Sequence, residues 1–258
     1  MSHPSPLASP PSQPHSALVT GGGHGLGEAV SRALHAAGFR VAIGDLDLTA
    51  AQAVAADLDP TGKTAHGLAF DAREQASFEQ ALVLMTDLWG GAQVLVNNAA
   101  MTVARPVLDI PPEEFDAVMA VNLRGTFLGC QVFGRSFRDK GYGRIVNMAS
   151  LAGQNGGTAT GAHYAISKGG IITLTKVFAR DLASHGVTVN AIAPGPLDLP
   201  SVRRTVPEDK LPGLIQNIPA GSLGDPTFVA HMVAQLAGPD AGFVTGATWD
   251  INGGLFMR

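Results

Sequence analysis

The chain alternates between short apolar runs and longer segments in which apolar residues recur every three or four positions. The short runs are continuously hydrophobic and end at glycine, asparagine or aspartate, a pattern typical of strands that are buried on both faces. The longer segments have the period of a helix with one apolar face. We therefore predict an α/β fold: a doubly wound parallel sheet covered by helices on both faces.

The predicted strands are Ala17–Thr20, Phe39–Gly44, Ala65–Phe70, Val94–Asn97, Arg144–Met148, Val187–Ile192 and Ala247–Ile251. The predicted helices are Glu28–Ala37, Leu48–Leu58, Glu74–Trp89, Pro112–Gly134, Tyr164–Ala183 and Pro226–Leu236. No internal repeat or linker interrupts this alternation, so residues 17–258 are predicted to form a single domain.

Two segments depart from the alternation. Residues 1–16 are rich in proline and serine and lack the basic start and apolar core of a signal peptide, so we expect a disordered tail. Residues 194–223 are irregular and rich in proline, which predicts a lid or substrate-binding loop. The alternative is a disordered surface loop.

Composition narrows the class of protein. The chain has 258 residues, 45% hydrophobic and 15% charged, which is enough to bury a large core. A net charge of −4 offers no positive field for nucleic acid, and no apolar run reaches membrane-spanning length. Cys130 is the only cysteine, which excludes an intrachain disulfide and a cysteine metal cluster. We expect a cytoplasmic protein without a metal, and a buried Cys130.

A glycine-rich loop, Thr20–Gly27, joins the first strand to the first helix. Glycines there let the backbone approach a pyrophosphate, whose charge sits at the helix N-terminus. The spacing is Gly-x-x-x-Gly-x-Gly and differs from the commonest dinucleotide fingerprint. A tight turn without a ligand is the alternative.

Asp45 closes the second strand about twenty residues after this loop. A carboxylate there accepts hydrogen bonds from a ribose 2′-hydroxyl and repels a 2′-phosphate. The next residue is Leu46, where a basic residue would favour NADP, and His24 is a weaker phosphate ligand than arginine. We predict NAD(H) as the cofactor. A turn or helix N-cap role is the alternative for Asp45.

Tyr164 and Lys168 lie one helical turn apart, so their side chains share a face, and Ser150 stands a short loop upstream. An ammonium beside a phenol stabilises the phenolate, so the tyrosine pKa is expected to fall towards working pH. The alternative is a half-buried aromatic beside a solvated charge.

Together these motifs resemble the short-chain dehydrogenase/reductase family over essentially all of Ala17 to Gly254. The glycine loop matches the family's Thr-Gly-x-x-x-Gly-x-Gly, and Tyr164 with Lys168 matches its Tyr-x-x-x-Lys. Further matching segments are Asn97-Asn98-Ala99-Ala100, Asn122, Asn190–Gly195 and Asp250–Gly254.

The resemblance implies a Rossmann-like single domain with a catalytic tetrad. Tyr164 would be the general acid for ketone reduction and the base for alcohol oxidation. Lys168 would lower the pKa of Tyr164 and bind the nicotinamide ribose, and Ser150 would hold the substrate oxygen. Asn122 would anchor a water that links Lys168 to solvent. Read alone, Asn122 could satisfy backbone groups and Ser150 could cap a turn.

The resemblance also implies a cofactor site. Asp71 and Ala72 would line the adenine, although Asp71 could instead cap the next helix. Asn98 and Ala99 would approach the adenosine ribose. The predicted cofactor-binding residues are Gly21, His24, Gly25, Leu26, Gly27, Asp45, Leu46, Asp71, Ala72, Asn98, Ala99, Tyr164, Lys168, Pro194, Gly195 and Leu197, the last three beside the nicotinamide.

Three departures from the family pattern bear on this site. Ala100 replaces a glycine and would be strained if its φ were positive. Leu199 replaces a threonine that binds the nicotinamide carboxamide, a contact that Ser201 or backbone could supply. The Ser150–Tyr164 spacing has one extra residue, which we place in a loop at 153–157.

The predicted function is NAD(H)-dependent hydride transfer to or from a secondary alcohol or ketone, as in 3-oxoacyl-thioester reductases and sugar or polyol dehydrogenases. An idle NAD(H)-binding sensor or scaffold, and a non-redox lyase or epimerase, are the alternatives. Arg203 and Arg204 could recruit an anionic substrate or form a solvated pair. His163 could face the substrate or simply start its helix.

The resemblance further implies a homotetramer, or a dimer, built through helices 112–134 and 164–183 and the last strand. Small residues on these helices would permit close packing between subunits, or they could face the sheet. They are Gly129, Ala165, Gly169 and Ala179.

Overall fold

A computed structural model of the chain describes residues 15–157, 160–200, 209 and 211–257. Within them, one seven-stranded sheet has the order β3-β2-β1-β4-β5-β6-β7, with all neighbouring strands parallel. The strands are β1 Ser16–Thr20, β2 Arg40–Asp45, β3 Ala65–Ala69, β4 Val94–Asn97, β5 Gly143–Met148, β6 Val187–Pro194 and β7 Thr248–Ile251. The predicted doubly wound parallel sheet is confirmed.

The helices of the described residues are α1 Gly25–Ala36, α2 Leu48–Leu58, α3 Gln75–Trp89, α4 Pro112–Met119, α5 Gly125–Lys140, α6 Ala152–Asn155, α7 Ala162–Leu182, α8 Leu211–Gln216 and α9 Pro226–Ala237. Single 3₁₀ turns occupy Val107–Asp109, Ala183–His185 and Pro239–Phe243. None of these helices is both long and apolar enough to cross a bilayer.

The sheet separates two apolar cores, because successive side chains of a strand point to opposite faces. In β1, Ala17 and Val19 pack into the core under α1, α2 and α9, whereas Leu18 packs under α3, α5 and α7. The continuous apolar runs in the sequence follow directly from this two-sided burial.

The predicted helix 112–134 differs from the structure in one informative way. A π-helical turn, Ala120–Arg124, joins α4 to α5 without breaking the right-handed backbone, and α5 continues to Lys140. A π turn adds one residue to a helical turn, often at functional sites. Here it lies at Asn122, which is fully buried.

The strand order places a topological switch point between β1 and β4. After β3 the chain crosses to the other side of β1, so the connections from β1 and β4 leave in opposite directions. Ligands of open α/β sheets bind in the crevice outside the carboxyl ends of such strands. The glycine loop follows β1 at this edge.

Several predicted features lie wholly or partly outside the described residues. Ser201, Arg203 and Arg204 are outside them, as are residues 1–14 of the predicted tail. Ser16 already belongs to β1. The predicted lid at 194–223 contains α8 and is therefore not irregular throughout.

Candidate active site

Thr20, at the end of β1, is hydrogen-bonded to the residues that follow β4 on the other side of the switch point. Its Oγ1 accepts hydrogen bonds from the backbone N–H groups of Asn98 and Ala99, each at 3.0 Å. In return, the Asn98 side chain donates to the carbonyls of Thr20 and Gly21, also at 3.0 Å. The Asn98 amide therefore holds the glycine loop in place.

The glycine loop has the shape that a pyrophosphate requires. Gly21 and Gly25 have φ values of +62° and +54°, and a Cβ on Gly21 would lie 2.9 Å from the Ala99 Cα. A Cβ on Gly27 would overlap the carbonyl of Gly21. The N-cap of α1, His24, makes no side-chain cap, so the first N–H groups of α1 are left for an anion. The loop fits a dinucleotide.

The Asp45 side chain is hydrogen-bonded to the backbone of this loop. Its Oδ2 accepts a hydrogen bond from the N–H of Gly23 at 2.9 Å, and its Oδ1 accepts one from the N–H of Asp47 at 3.1 Å. The N-cap of α2 is Asp47, so the helix-cap alternative for Asp45 is wrong. Asp45 instead stabilises the turn between β2 and α2, as the other alternative predicted. Beside it, the Leu46 side chain is 70% exposed.

Asp71 follows β3 and is paired with Arg73, which sequence reasoning missed. The guanidinium donates to both carboxylate oxygens, at 2.6 to 3.1 Å, and this holds the pKa of Asp71 below its usual range. Glu74 is the N-cap of α3, so the capping alternative for Asp71 is wrong. Ala72 is buried next to it.

Ser150, Tyr164 and Lys168 converge above the carboxyl end of β5. The Ser150 side chain lies beside the Tyr164 hydroxyl and favours its phenolate form, which acts to lower the pKa of Tyr164. It also accepts from the N–H of Ala152 at 3.1 Å, so the turn-capping role coexists with this contact. The Lys168 Nζ donates to the carbonyl of Met148 at 2.6 Å and lies 5.6 Å from the centroid of the Tyr164 ring.

The protonation states differ from the expectation. Desolvation by the surrounding protein raises the pKa of Tyr164, against an opposite effect of hydrogen bonds from Ser150 and Thr102. Burial lowers the pKa of Lys168 to about 8. The predicted lowering of the Tyr164 pKa is therefore wrong. Burial disfavours the charged forms of both groups, and the phenol stays protonated.

Asn122 satisfies backbone groups, as its alternative predicted. Its Oδ1 accepts from the N–H of Met101 at 2.7 Å, and its Nδ2 donates to the Met101 carbonyl at 3.0 Å. Nδ2 also donates to Ser167 Oγ at 3.0 Å, and that hydroxyl donates to the carbonyl of Tyr164 at 2.7 Å. Asn122 thus supports the helical turn that carries Tyr164. Its water-anchoring role stays a prediction.

Backbone hydrogen bonds hold the segment that is predicted to lie beside the nicotinamide. Pro194 ends β6 and accepts from the N–H of Leu151 at 2.9 Å, and the N–H of Gly195 donates to Ile251 at 2.8 Å. Leu197 is buried in the core, and Leu199 is partly buried against that core. Because its side chain is apolar, Leu199 cannot make the hydrogen bond that a threonine would make at this position.

The other two departures from the family pattern leave the site intact. In the described part of the chain every positive φ belongs to glycine, so Ala100 is not strained. In the loop at 153–157, where we place the extra residue before Tyr164, α6 extends to Asn155 and Gly156 follows as its C-cap. Ser150 and Tyr164 still meet.

A charged cluster beside Tyr164 also escaped sequence reasoning. Arg105 donates to both oxygens of Glu114 at 2.8 to 3.1 Å. His163 is fully buried, and its Nε2 lies 3.2 Å from Glu114 Oε1, so it faces α4 and not the crevice. These residues are distant in sequence, and only the packing of α4 on α7 brings them together.

Comparison with known proteins decides the family. Residues 21–256 match the family described as enoyl-(acyl carrier protein) reductase. A 3-oxoacyl-(acyl-carrier-protein) reductase from Vibrio cholerae is 38% identical over 241 residues, which cover 93% of this chain and 97% of that protein. The chain belongs to the short-chain dehydrogenase/reductase family.

Two further relatives also match the chain over nearly its whole length. A sorbitol dehydrogenase from Cereibacter sphaeroides is 34% identical over 252 residues, covering 93% of this chain and 97% of its own. An acetoacetyl-CoA reductase from Shinella zoogloeoides is 39% identical over 246 residues, covering 93% and 98%. This chain is therefore an oxidoreductase of a family that binds a nicotinamide cofactor.

The buried Lys168 gives a prediction for stability against pH. Its pKa falls from 10.5 to about 8 on folding, so between these values the unfolded chain binds a proton that the folded protein has lost. Stability then rises with pH. Relative to Lys168→Met, the wild-type free energy of unfolding should gain about 2 kcal/mol between pH 7 and 9.5.

Urea unfolding at several pH values measures this gain. Lys176→Met, on the exposed side of the same helix, is the control and should follow the wild type. Parallel curves for wild type and Lys168→Met would contradict the lowered pKa of Lys168.

Proposed function

We propose that this protein is an NAD(H)-dependent oxidoreductase that interconverts a secondary alcohol and a ketone. The observation that carries the proposal is the convergence of three side chains: Ser150 lies beside the Tyr164 hydroxyl, and the Lys168 ammonium is buried 5.6 Å from the centroid of the same ring. An oxygen of the substrate placed between the two hydroxyls would meet a proton donor and a second hydrogen-bond donor together.

The roles of the side chains follow from their protonation states. A bound nicotinamide would supply the hydride for ketone reduction or accept it in alcohol oxidation. Tyr164 is protonated, so it gives its proton to the carbonyl oxygen as the alcohol forms, and takes it back in the reverse direction. Ser150 polarises that oxygen, and Lys168 stabilises the phenolate left behind. The catalytic roles of these residues and of Asn122 are part of the proposal.

The preference for NAD(H) rests on Asp45. Its carboxylate is fixed by two backbone N–H groups, which positions it to accept hydrogen bonds from a ribose and to repel a 2′-phosphate. The exposed Leu46 offers no positive charge next to it.

The substrate class is drawn from the site and from the relatives. The names of the relatives refer to a 3-oxoacyl group on a carrier protein, to acetoacetyl-CoA and to sorbitol. Ketones and secondary alcohols are common to all three, and we propose this class for the present chain. We also propose that it acts in the cytoplasm.

An idle NAD(H)-binding protein is the competing function. Such a protein needs the glycine loop and Asp45, but has no need for Ser150, Tyr164 and Lys168 to converge. Cofactor turnover distinguishes the two functions.

Tyr164→Phe should therefore abolish turnover without abolishing cofactor binding. On a panel of 3-oxoacyl thioesters, sugars and cyclic ketones, we expect NADH absorbance to change with at least one substrate, and the rate to fall about 10²- to 10⁴-fold in the variant. The other tyrosine of the chain, Tyr142, lies at the amino ends of the strands, opposite the crevice. It supplies the control, Tyr142→Phe. Tight NADH binding without turnover on any substrate would favour the idle protein.

The cofactor preference can be measured without a substrate. We expect the wild-type protein to bind NADH at least about tenfold more tightly than NADPH, because Asp45 repels the extra phosphate. Asp45→Asn should narrow this ratio, whereas Asp87→Asn, an exposed carboxylate on α3, should leave it unchanged. Equal affinity of the wild type for both nucleotides would overturn the NAD(H) proposal.

We further propose a homotetramer, with a dimer as the alternative. The outer faces of α5 and α7 expose Phe127, Ile166 and Val177 by 41–52%. A groove of about 960 Å³ beside Phe127 is lined by apolar residues, among them Leu123 and Leu174, and by four charged ones, Arg73, Glu74, Asp116 and Arg124. An apolar face with charged groups beside it fits a second copy of the chain. The small residues of these helices face inward instead: Gly129 packs on Asn97, Gly169 packs on Gly153, and Ala165 and Ala179 are buried.

Sedimentation velocity at micromolar concentration tests the assembly. Phe127→Asp should shift the wild-type oligomer to a smaller species, because it places a charge in the apolar face. Val83→Asp, 62% exposed on α3, serves as the control and should sediment as the wild type does. A monomeric wild-type protein would refute the oligomer.

A further inference from the structure

The segment that follows β4 is held by backbone contacts on both sides of Thr102. On one side, Asn122 accepts from the N–H of Met101 at 2.7 Å and donates to its carbonyl at 3.0 Å. On the other side, the carbonyl of Val103 accepts from the N–H of Gly161 at 3.0 Å. Thr102 therefore lies between two fixed backbone positions.

Both contacts come from parts of the chain that also position Tyr164. Asn122 supports the helical turn that carries Tyr164 through its hydrogen bond to Ser167. Gly161 is the N-cap of α7, the helix to which Tyr164 belongs. A Cβ at Gly161 would lie 2.7 Å from the carbonyl oxygen of Val103, so a side chain there would push the segment away. The fold thus fixes Thr102 relative to Tyr164.

A third contact holds the same segment two residues further along. Arg105 donates to both oxygens of Glu114, on α4, at 2.8 to 3.1 Å. Glu114 Oε1 also lies 3.2 Å from Nε2 of the buried His163, the residue before Tyr164. Arg105 and Glu114 compensate each other's charge, whereas the Lys168 ammonium lies 5.6 Å from the centroid of the Tyr164 ring.

The Thr102 side chain is the polar group that this held segment brings to the catalytic residues. It is exposed and lies beside the Tyr164 hydroxyl, as Ser150 does. No other partner among the described residues gives its hydroxyl a role in a turn or a helix cap. A hydroxyl both donates and accepts, so it can donate to the Tyr164 oxygen once that oxygen has lost its proton.

We propose that Thr102 is a further catalytic residue, which donates a hydrogen bond to the Tyr164 oxygen and stabilises the phenolate formed during ketone reduction. The Tyr164 O–H bond breaks as the O–H bond of the alcohol forms on the substrate, and the Thr102 O–H bond stays intact. Because a hydrogen bond to an ionised oxygen is stronger than one to a neutral oxygen, the contact favours the transition state over the ground state.

This inference rests on the proposed function, because it assumes that Tyr164 gives its proton to a carbonyl oxygen. It adds to that function a division of labour between the two hydroxyls beside Tyr164. Ser150 polarises the substrate oxygen, whereas Thr102 acts on the Tyr164 oxygen.

Three variants separate the hydroxyl of Thr102 from its shape. Thr102→Val removes the hydroxyl and keeps a β-branched side chain, whereas Thr102→Ser keeps the hydroxyl and removes a methyl group. Thr86→Val is the matched control, because Thr86 is exposed on α3 and donates only to the carbonyl of Leu82 in its own helix.

Steady-state kinetics on the full chain gives the first readout, with NADH and the 3-oxoacyl thioester, sugar or cyclic ketone that the wild type reduces fastest. We expect Thr102→Val to lower kcat about three- to tenfold with KM changed less than about twofold, because only the transition state loses a contact. Thr102→Ser should recover most of this loss, and Thr86→Val should show none.

A second readout needs neither substrate nor cofactor. The chain has two tyrosines, so in a Tyr142→Phe background Tyr164 is the only one. Its oxygen-bearing ring carbon, labelled with ¹³C, then reports ionisation of Tyr164 alone as pH is raised. We expect Thr102→Val to move the midpoint upward by about 0.5 to 1 pH unit, because the phenolate loses a donor. Thr102→Ser should move it less.

The two readouts distinguish this inference from the proposed function. If the wild type reduces no member of the panel, the proposed function fails, and the NMR midpoint alone decides whether Thr102 stabilises the phenolate. If the wild type is active but Thr102→Val leaves kcat and the midpoint unchanged, only the present inference fails. A higher KM at unchanged kcat would assign Thr102 to substrate binding and would also overturn it.

Discussion

The site depends on an ammonium group held where water is excluded. Lys168 is fully enclosed, and its hydrogen bond to the Met148 carbonyl fixes it at the end of β5. Burying a charge is costly, and this cost shows in the lowered pKa of Lys168. The same exclusion of water keeps Tyr164 protonated. Desolvation is therefore the largest influence on the protonation of both groups.

The sequence predicted the sheet because its strands are buried on both faces and therefore read as uninterrupted apolar runs. The helical turns that it missed have no such signal. The π turn at Asn122 is stabilised by contacts with Met101 and Ser167, which lie far away in the chain. α6 and α8 are only four and six residues long, too short for an apolar period to appear.

The candidate site likewise combines features that follow from spacing in the sequence with features that depend on packing between distant residues. Spacing placed Tyr164 and Lys168 on one face, and motif order identified the glycine loop and Asp45. Spacing could not reveal whether attraction or burial would set the pKa of Tyr164, because burial depends on every element packed around it. Nor could it find the contact between His163 and Glu114, which are 49 residues apart and meet through packing alone.

The two ends of the crevice use opposite electrostatic conditions. At the proposed ribose end, the Asp45 carboxylate is partly exposed and accepts hydrogen bonds from the backbone N–H groups of Gly23 and Asp47. At the other end, desolvation by the surrounding protein raises the pKa of Tyr164, so its hydroxyl stays neutral. Thr20 and Asn98 hydrogen-bond the end of β1 to the segment that follows β4, so these two strand ends are fixed relative to each other at the switch point.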